Sequence, residues 1–87
     1  GDIDARIREA YLSVSGGQFN VRVRLADLRP LLEPFPRNLQ DAALLRMQSE
    51  ERLVLYRNDN PIELLPEDHL AALDLIGEKR HLVYMRG

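Results

Sequence analysis

Eighty-seven residues, 45% of them hydrophobic, are enough for one packed core and too few for two. The chain has no cysteine, which excludes a disulfide framework and a thiolate metal site and leaves packing to hold the fold. A net charge of -2, with an isoelectric point near 5.6, excludes a domain whose whole surface grips phosphate, while a local basic patch stays compatible with it. No apolar run approaches the roughly 20 residues of a membrane-spanning helix, and the opening "GDIDARIREAY" has no signal-peptide pattern. The expectation is therefore a cytoplasmic domain with no membrane contact. The opening at Gly1 and the abrupt ending "HLVYMRG" lead to the further expectation that 1–87 is a single domain excised from a larger, bacterial-type protein.

In "DIDARIREAYLSV", Ile3, Ile7, Ala10, Tyr11 and Val14 recur at helical spacing while Asp4, Arg8 and Glu9 point away. Asp2 suits the N-cap, and "SGG" at 15–17 ends this first helix. "FNVRVRL" alternates strictly: Phe19, Val21, Val23 and Leu25 share one face and Asn20, Arg22 and Arg24 the other, the period of a half-buried strand. A short second helix follows in "LADLRPLLE", with Leu25, Leu28 and Leu32 inward and Pro30 limiting its length. "EPFP" breaks the chain, and Pro36 starts a third helix that runs through "RNLQDAALLRMQSEE" to about Glu51. "RLVLYR" reads as a buried strand, "NDNP" at 58–61 as a turn, and "IELL" as the returning strand of a hairpin. Pro66, with Glu67 and Asp68 in the first turn, opens a fourth helix through Ile76 that Gly77 closes, and "HLVYM" is a last short strand.

Helix, short strand, two helices joined by a tight break, and a hairpin is the order of the winged-helix domain. From Ala5 to about Leu65 the chain resembles that superfamily. Val21 to Leu25 stand as the first strand, "LADLRPLL" and "PRNLQDAALLRM" as the second and third helices, and "RLVLYRNDNPIEL" as the wing. The expected class is thus α+β, a winged helix with an added C-terminal helix and strand. Arg24 stands where a Ser or Thr N-cap would normally precede the second helix. The resemblance implies macromolecular recognition, most often of DNA, with the third helix as reader.

On that third helix Leu39, Ala43, Leu44 and Met47 fall on one arc, and Asn38, Asp41, Leu45, Gln48 and Ser49 on the opposite one. The DNA reading places Arg37, Asn38 and Gln48 at base edges, and Arg22, Arg24 and Arg57 at phosphates. Asp41 opposes it, because a carboxylate is repelled by phosphate. The competing reading makes Asp41, Leu45 and Gln48 the centre of a protein-protein or self-association interface, apolar in the middle and polar at the rim. Arg22, Arg24, Arg57, Lys79, Arg80, His81 and Arg86 gather on or near the strands, where they either line a phosphate-tracking stripe or pair with Glu63 and Glu78 on a solvated face.

Nothing in the chain has the spacing of a catalytic centre. His69 and His81 lie on different elements with no ligand spacing around them. "SGG" lacks the Lys and Ser or Thr of a phosphate loop, and Ser13, Ser15 and Ser49 have no readable histidine partner. Tyr11, Phe19, Tyr56 and Tyr84 fall on apolar faces and read as core, not as base-stacking platforms. The expectation is a non-enzymatic module with no cofactor, no metal and no small-molecule substrate, with DNA leading as partner and a protein as the alternative.

Overall fold

The computed structural model describes residues 2–87 as an α+β fold of four helices, a three-stranded antiparallel sheet and a separate two-stranded hairpin. Helix α1 (Asp2–Ser15) already contains Asp2 and buries Ile7, Ala10 and Tyr11. It stops at Gly16 and Gly17, whose φ values of +70° and +85° suit glycine, and the Gly17 N–H donates to the Leu12 carbonyl at 2.7 Å. Strand β1 (Arg22–Arg24) is shorter than the alternation over 19–25 predicts. Phe19 leaves the strand direction to stack on Tyr11, with ring centroids 6.2 Å apart, and Leu25 begins the next helix.

Helix α2 (Leu25–Leu28) passes into a 3-10 turn over Arg29–Leu32 that accommodates Pro30. Leu25, Leu28 and Leu32 are all fully buried, as their spacing predicts. Arg24 precedes α2 with no side-chain cap bond.

Helix α3 (Arg37–Ser49) follows Pro36 and buries Gln40, Ala43, Leu44 and Met47. Its phase differs from the expected one: Leu39 is 49% exposed and Gln40 takes the inward place. An amide is tolerated there because both ends are bonded. Its Nε2 donates to the Phe35 carbonyl at 2.8 Å, and its Oε1 accepts from Arg29 at 3.0 Å. The rotation also draws Leu45 partly into the core.

Strand β2 (Leu53–Tyr56) does not pair with "IELL". Residues Pro61–Glu63 form a 3-10 turn in which Asn58 and Asn60 side chains accept the N–H groups of Asn60 and Ile62. Those local bonds remove the donors a ladder would need, and Ile62 stays 91% exposed. The partner of β2 is instead β5 (Leu82–Met85), which also pairs with β1 and so lies in the middle of the sheet, in the order β1-β5-β2. The predicted helix over 66–76 is likewise shortened. Helix α4 covers Pro66–Ala71, and Leu73–Leu75 (β3) turns back through Ile76 and Gly77 onto Glu78–Arg80 (β4). Burial of Leu73, 1% exposed, outweighs continued helix, because the strand conformation points it into the core.

The sheet alternates cleanly. Val23, Leu53, Leu55, Val83 and Met85 are buried against α1, α2 and α3, while Arg22, Arg24, Val54, Tyr56, Leu82 and Tyr84 occupy the outward face. No helix among the described residues is long and apolar enough to cross a membrane.

Candidate functional site

The polar groups expected to meet a partner on α3 are mostly bonded inside the molecule. Arg37 donates from Nη1 to the Leu70 carbonyl at 2.9 Å and from Nη2 to the Ala72 carbonyl at 2.8 Å. Arg29 donates from Nε and Nη2 to the Ala71 carbonyl at 3.0 and 2.8 Å. Together the two guanidinium groups take the carbonyls at the C-terminus of α4, where cations also suit the helix dipole. These bonds satisfy carbonyls left without helical partners where α4 ends. Asp41 is the counter-ion, 2.7 Å from Arg29 and 3.4 Å from Arg37.

Gln48 is turned toward the sheet. Its Oε1 accepts the N–H of Leu55 at 2.8 Å, on the edge of β2 that no other strand covers. Asn38 remains exposed. Its neighbours on the outward face of α3 are Leu39, Ala42, Arg46 and Ser49, not the Asp41, Leu45 and Gln48 that the sequence pattern places there.

Arg46 on that face is engaged as well. Asp4, expected to point into water, is buried and accepts from Arg46 Nη1 at 2.9 Å and from Arg52 Nη1 at 2.8 Å. The hydrogen bond from Arg46, joined by Arg52, overcomes the burial penalty and holds the Asp4 carboxyl well below the usual carboxylate range. A similar anchor sits at α4. Burial alone would raise the Asp68 pKa, but hydrogen bonds from Arg24 Nε and the Leu65 N–H, both 2.9 Å, outweigh it and leave the pKa lowered. Arg24 also lies 3.5 Å from Asp27 and 3.9 Å from Glu67. Arg57 pairs with Asp59 at 3.1 Å and approaches Glu78 at 3.9 Å. Two of the three arginines assigned to phosphates are thus neutralised locally.

The third, Arg22, has a different setting. Its guanidinium lies 4.2 Å from the centroid of the Tyr56 ring, and Tyr56 meets Tyr84 edge to face at 6.2 Å. The Tyr84 hydroxyl lies 3.3 Å from Asn20 Oδ1. Both tyrosines stand half-buried on the outward sheet face, whereas the sequence reading assigned them to the core; Tyr11 alone of the three is fully buried. The alternation 53/55 in and 54/56 out in "RLVLYR" carries that information. It goes unread because both faces of the strand are apolar or aromatic.

Two further features complete the surface. A groove of about 400 Å³ runs between the 3-10 turn, the start of α3 and α4, floored by Ala26, Pro30, Phe35 and Ala71 with Leu70 at its side. Leu70 is 77% exposed there. His81 is buried and accepts the Asn58 N–H on Nδ1 at 3.0 Å, 6.5 Å ring to ring from His69. Burial, then the neighbouring His69, lowers its pKa, so it stays neutral and serves to hold the chain leaving β2. Compared with known proteins, the chain matches no family model, no curated protein and no solved structure.

Proposed function

We propose that the chain is a non-catalytic recognition module of the winged-helix type and that it docks on a protein through the outward face of α3. The order helix, strand, two helices, strand and strand supports the first part, with the wing drawn out into the long excursion 57–81 before its second strand, β5. The observation that carries the second part is the commitment of Arg37 and Gln48 to backbone partners. To reach a base or phosphate, each must abandon a carbonyl or N–H of its own fold, at about 0.5–1.5 kcal/mol for each bond given up. What remains on the face is Leu39 and Ala42 ringed by Asn38, Ser49 and an Arg46 tied to Asp4. An apolar centre with a polar rim fits a protein surface better than a polyanion.

A photoreactive side chain introduced at Leu39 tests the reading in cells. The expected product is a discrete protein adduct that excess unlabelled domain competes away and the Leu39→Asp domain does not. A nucleic-acid adduct at this position, or equal competition by both forms, overturns it.

A further inference from the structure

Most cations of the fold have an internal counter-ion or carbonyl; on α1, Arg8 rests instead on the single ring of Phe19, 5.3 Å from its centroid. Arg6 donates to the carbonyls of Leu31 and Glu33, Arg46 and Arg52 share Asp4, Lys79 reaches Asp74, and Arg80 reaches Glu78. The outward sheet face departs from this pattern. Arg22 has only the Tyr56 ring beneath it, and Arg86 has no hydrogen bond or ion pair among the described residues. Register sets Arg22 opposite Tyr84 and Tyr84 opposite Val54, and Arg86, just past the end of β5, lines a cleft with Val54. The outward positions of β1, β5 and β2 hold no carboxylate, and at one end of the sheet Arg24 holds Asp27 of α2 and Asp68 of α4. Glu51 lines a cleft with Arg86 beyond the other end, without an ion pair between them.

We infer that this face binds single-stranded nucleic acid, with Arg22 and Arg86 on successive phosphates and Tyr84 as the stacking surface for a base. Two guanidinium groups without an ion pair, Arg22 on β1 and Arg86 just past β5, lie on either side of the half-buried Tyr84 in the strand order, which is the chemistry that single strands engage without sequence readout. The ring of Tyr56 is already covered by Arg22, so the guanidinium plane itself extends the stacking surface. A duplex hides its base faces and can use only the two charges. The site is separate from the α3 face, and its test does not depend on the protein-docking reading.

The test is a fluorescence-anisotropy titration of the domain into labelled oligothymidylate of about 10 nucleotides, within the range of single-strand site sizes, and into a duplex of equal length. Expected are salt-sensitive binding to the single strand, weaker binding to the duplex, and a loss of about fivefold or more for Tyr84→Leu. Arg22→Gln with Arg86→Gln should lower the salt slope by about 1.4, from about 0.7 per phosphate contact on single strands. Leu keeps the face covered and position 86 lies beyond the strand, so circular dichroism should match the parent for both variants. Leu39→Asp should bind the strand as the parent does. Absence of low-salt binding, equal affinity for duplex and strand, or indifference to the double arginine change each overturns the inference.

Discussion

The arginines that meet α3 and α4, including Arg24 at one end of β1, and those at the other end of the sheet are used in opposite ways. Around α3 and α4, the guanidinium groups of Arg24, Arg29 and Arg37 hold the carboxylates of Asp41 and Asp68 and the carbonyls of Leu70, Ala71 and Ala72. At the other end of the sheet, Arg22 rests on an aromatic ring and Arg86, just past β5, is exposed. The same residue type therefore serves as an internal clamp in one region and as an available cation in the other. Counting arginines in a sequence says little about nucleic-acid binding until their partners are known.

The largest effect that separates the regions is on stability. Arg29→Met leaves the Ala71 carbonyl and Gln40 Oε1 without their donor and Asp41 with Arg37 alone, and urea unfolding should show a loss of about 1–3 kcal/mol. Arg22→Met removes one exposed cation-π contact and should cost no more than about 1 kcal/mol. Equal losses would erase the distinction.

Acid sharpens the same contrast. Asp4 and Asp68 have lowered pKa values in the fold, so the unfolded chain binds protons first as pH falls. Their stabilisation is complete above the unfolded carboxylate pKa, near 3.9, and is lost as pH falls below it. His81, also lowered, adds an earlier loss that begins below its unfolded pKa near 6.5. Thermal melts from pH 8 to 3 should show a shallow decline below about 6.5, absent in His81→Gln, and a steeper one below about 4. A profile flat to pH 3 would contradict the clamp role of the two aspartates.

A smaller effect, opposite in sign, is expected at a hairpin tip outside both regions. Ile76 has φ +53° at 95% exposure beside Gly77 at +77°, a two-residue turn that favours Asn-Gly. Ile76→Asn should raise stability by about 1 kcal/mol by relieving a β-branched residue in the left-handed region. A lower melting temperature would show that the Ile side chain contributes more than its exposure indicates.

Much of the fold is legible in the sequence where periodicity is strong and local. The first helix, the Leu25, Leu28 and Leu32 triplet and the strand at 53–56 need no tertiary knowledge. The wing does not yield in the same way, because "IELL" and "HLVYM" are both apolar and the choice between them rests on long-range pairing and on the Asn58 and Asn60 turns. The phase of α3 is hidden for a related reason. Gln40 is polar by composition and inward only because Arg29 and the Phe35 carbonyl meet it there. Of the candidate site, Arg22 and Asn38 stay accessible as the pattern implies, whereas Arg37, Asp41 and Gln48 are claimed by α4, Arg29 and β2, none of which adjoins them in sequence.

The most direct measurement is side-chain NMR of the ¹⁵N-arginine-labelled domain at neutral pH, following the exchange of each Nε–H with water. The Nε–H groups of Arg24 and Arg29 donate at 2.9 and 3.0 Å and should give sharp, slowly exchanging resonances, while those of Arg22 and Arg86 exchange rapidly. Arg24 and Arg29 exchanging as fast as Arg86 would contradict the account, since the clamps that keep the helical side from a polyanion would then not exist in solution.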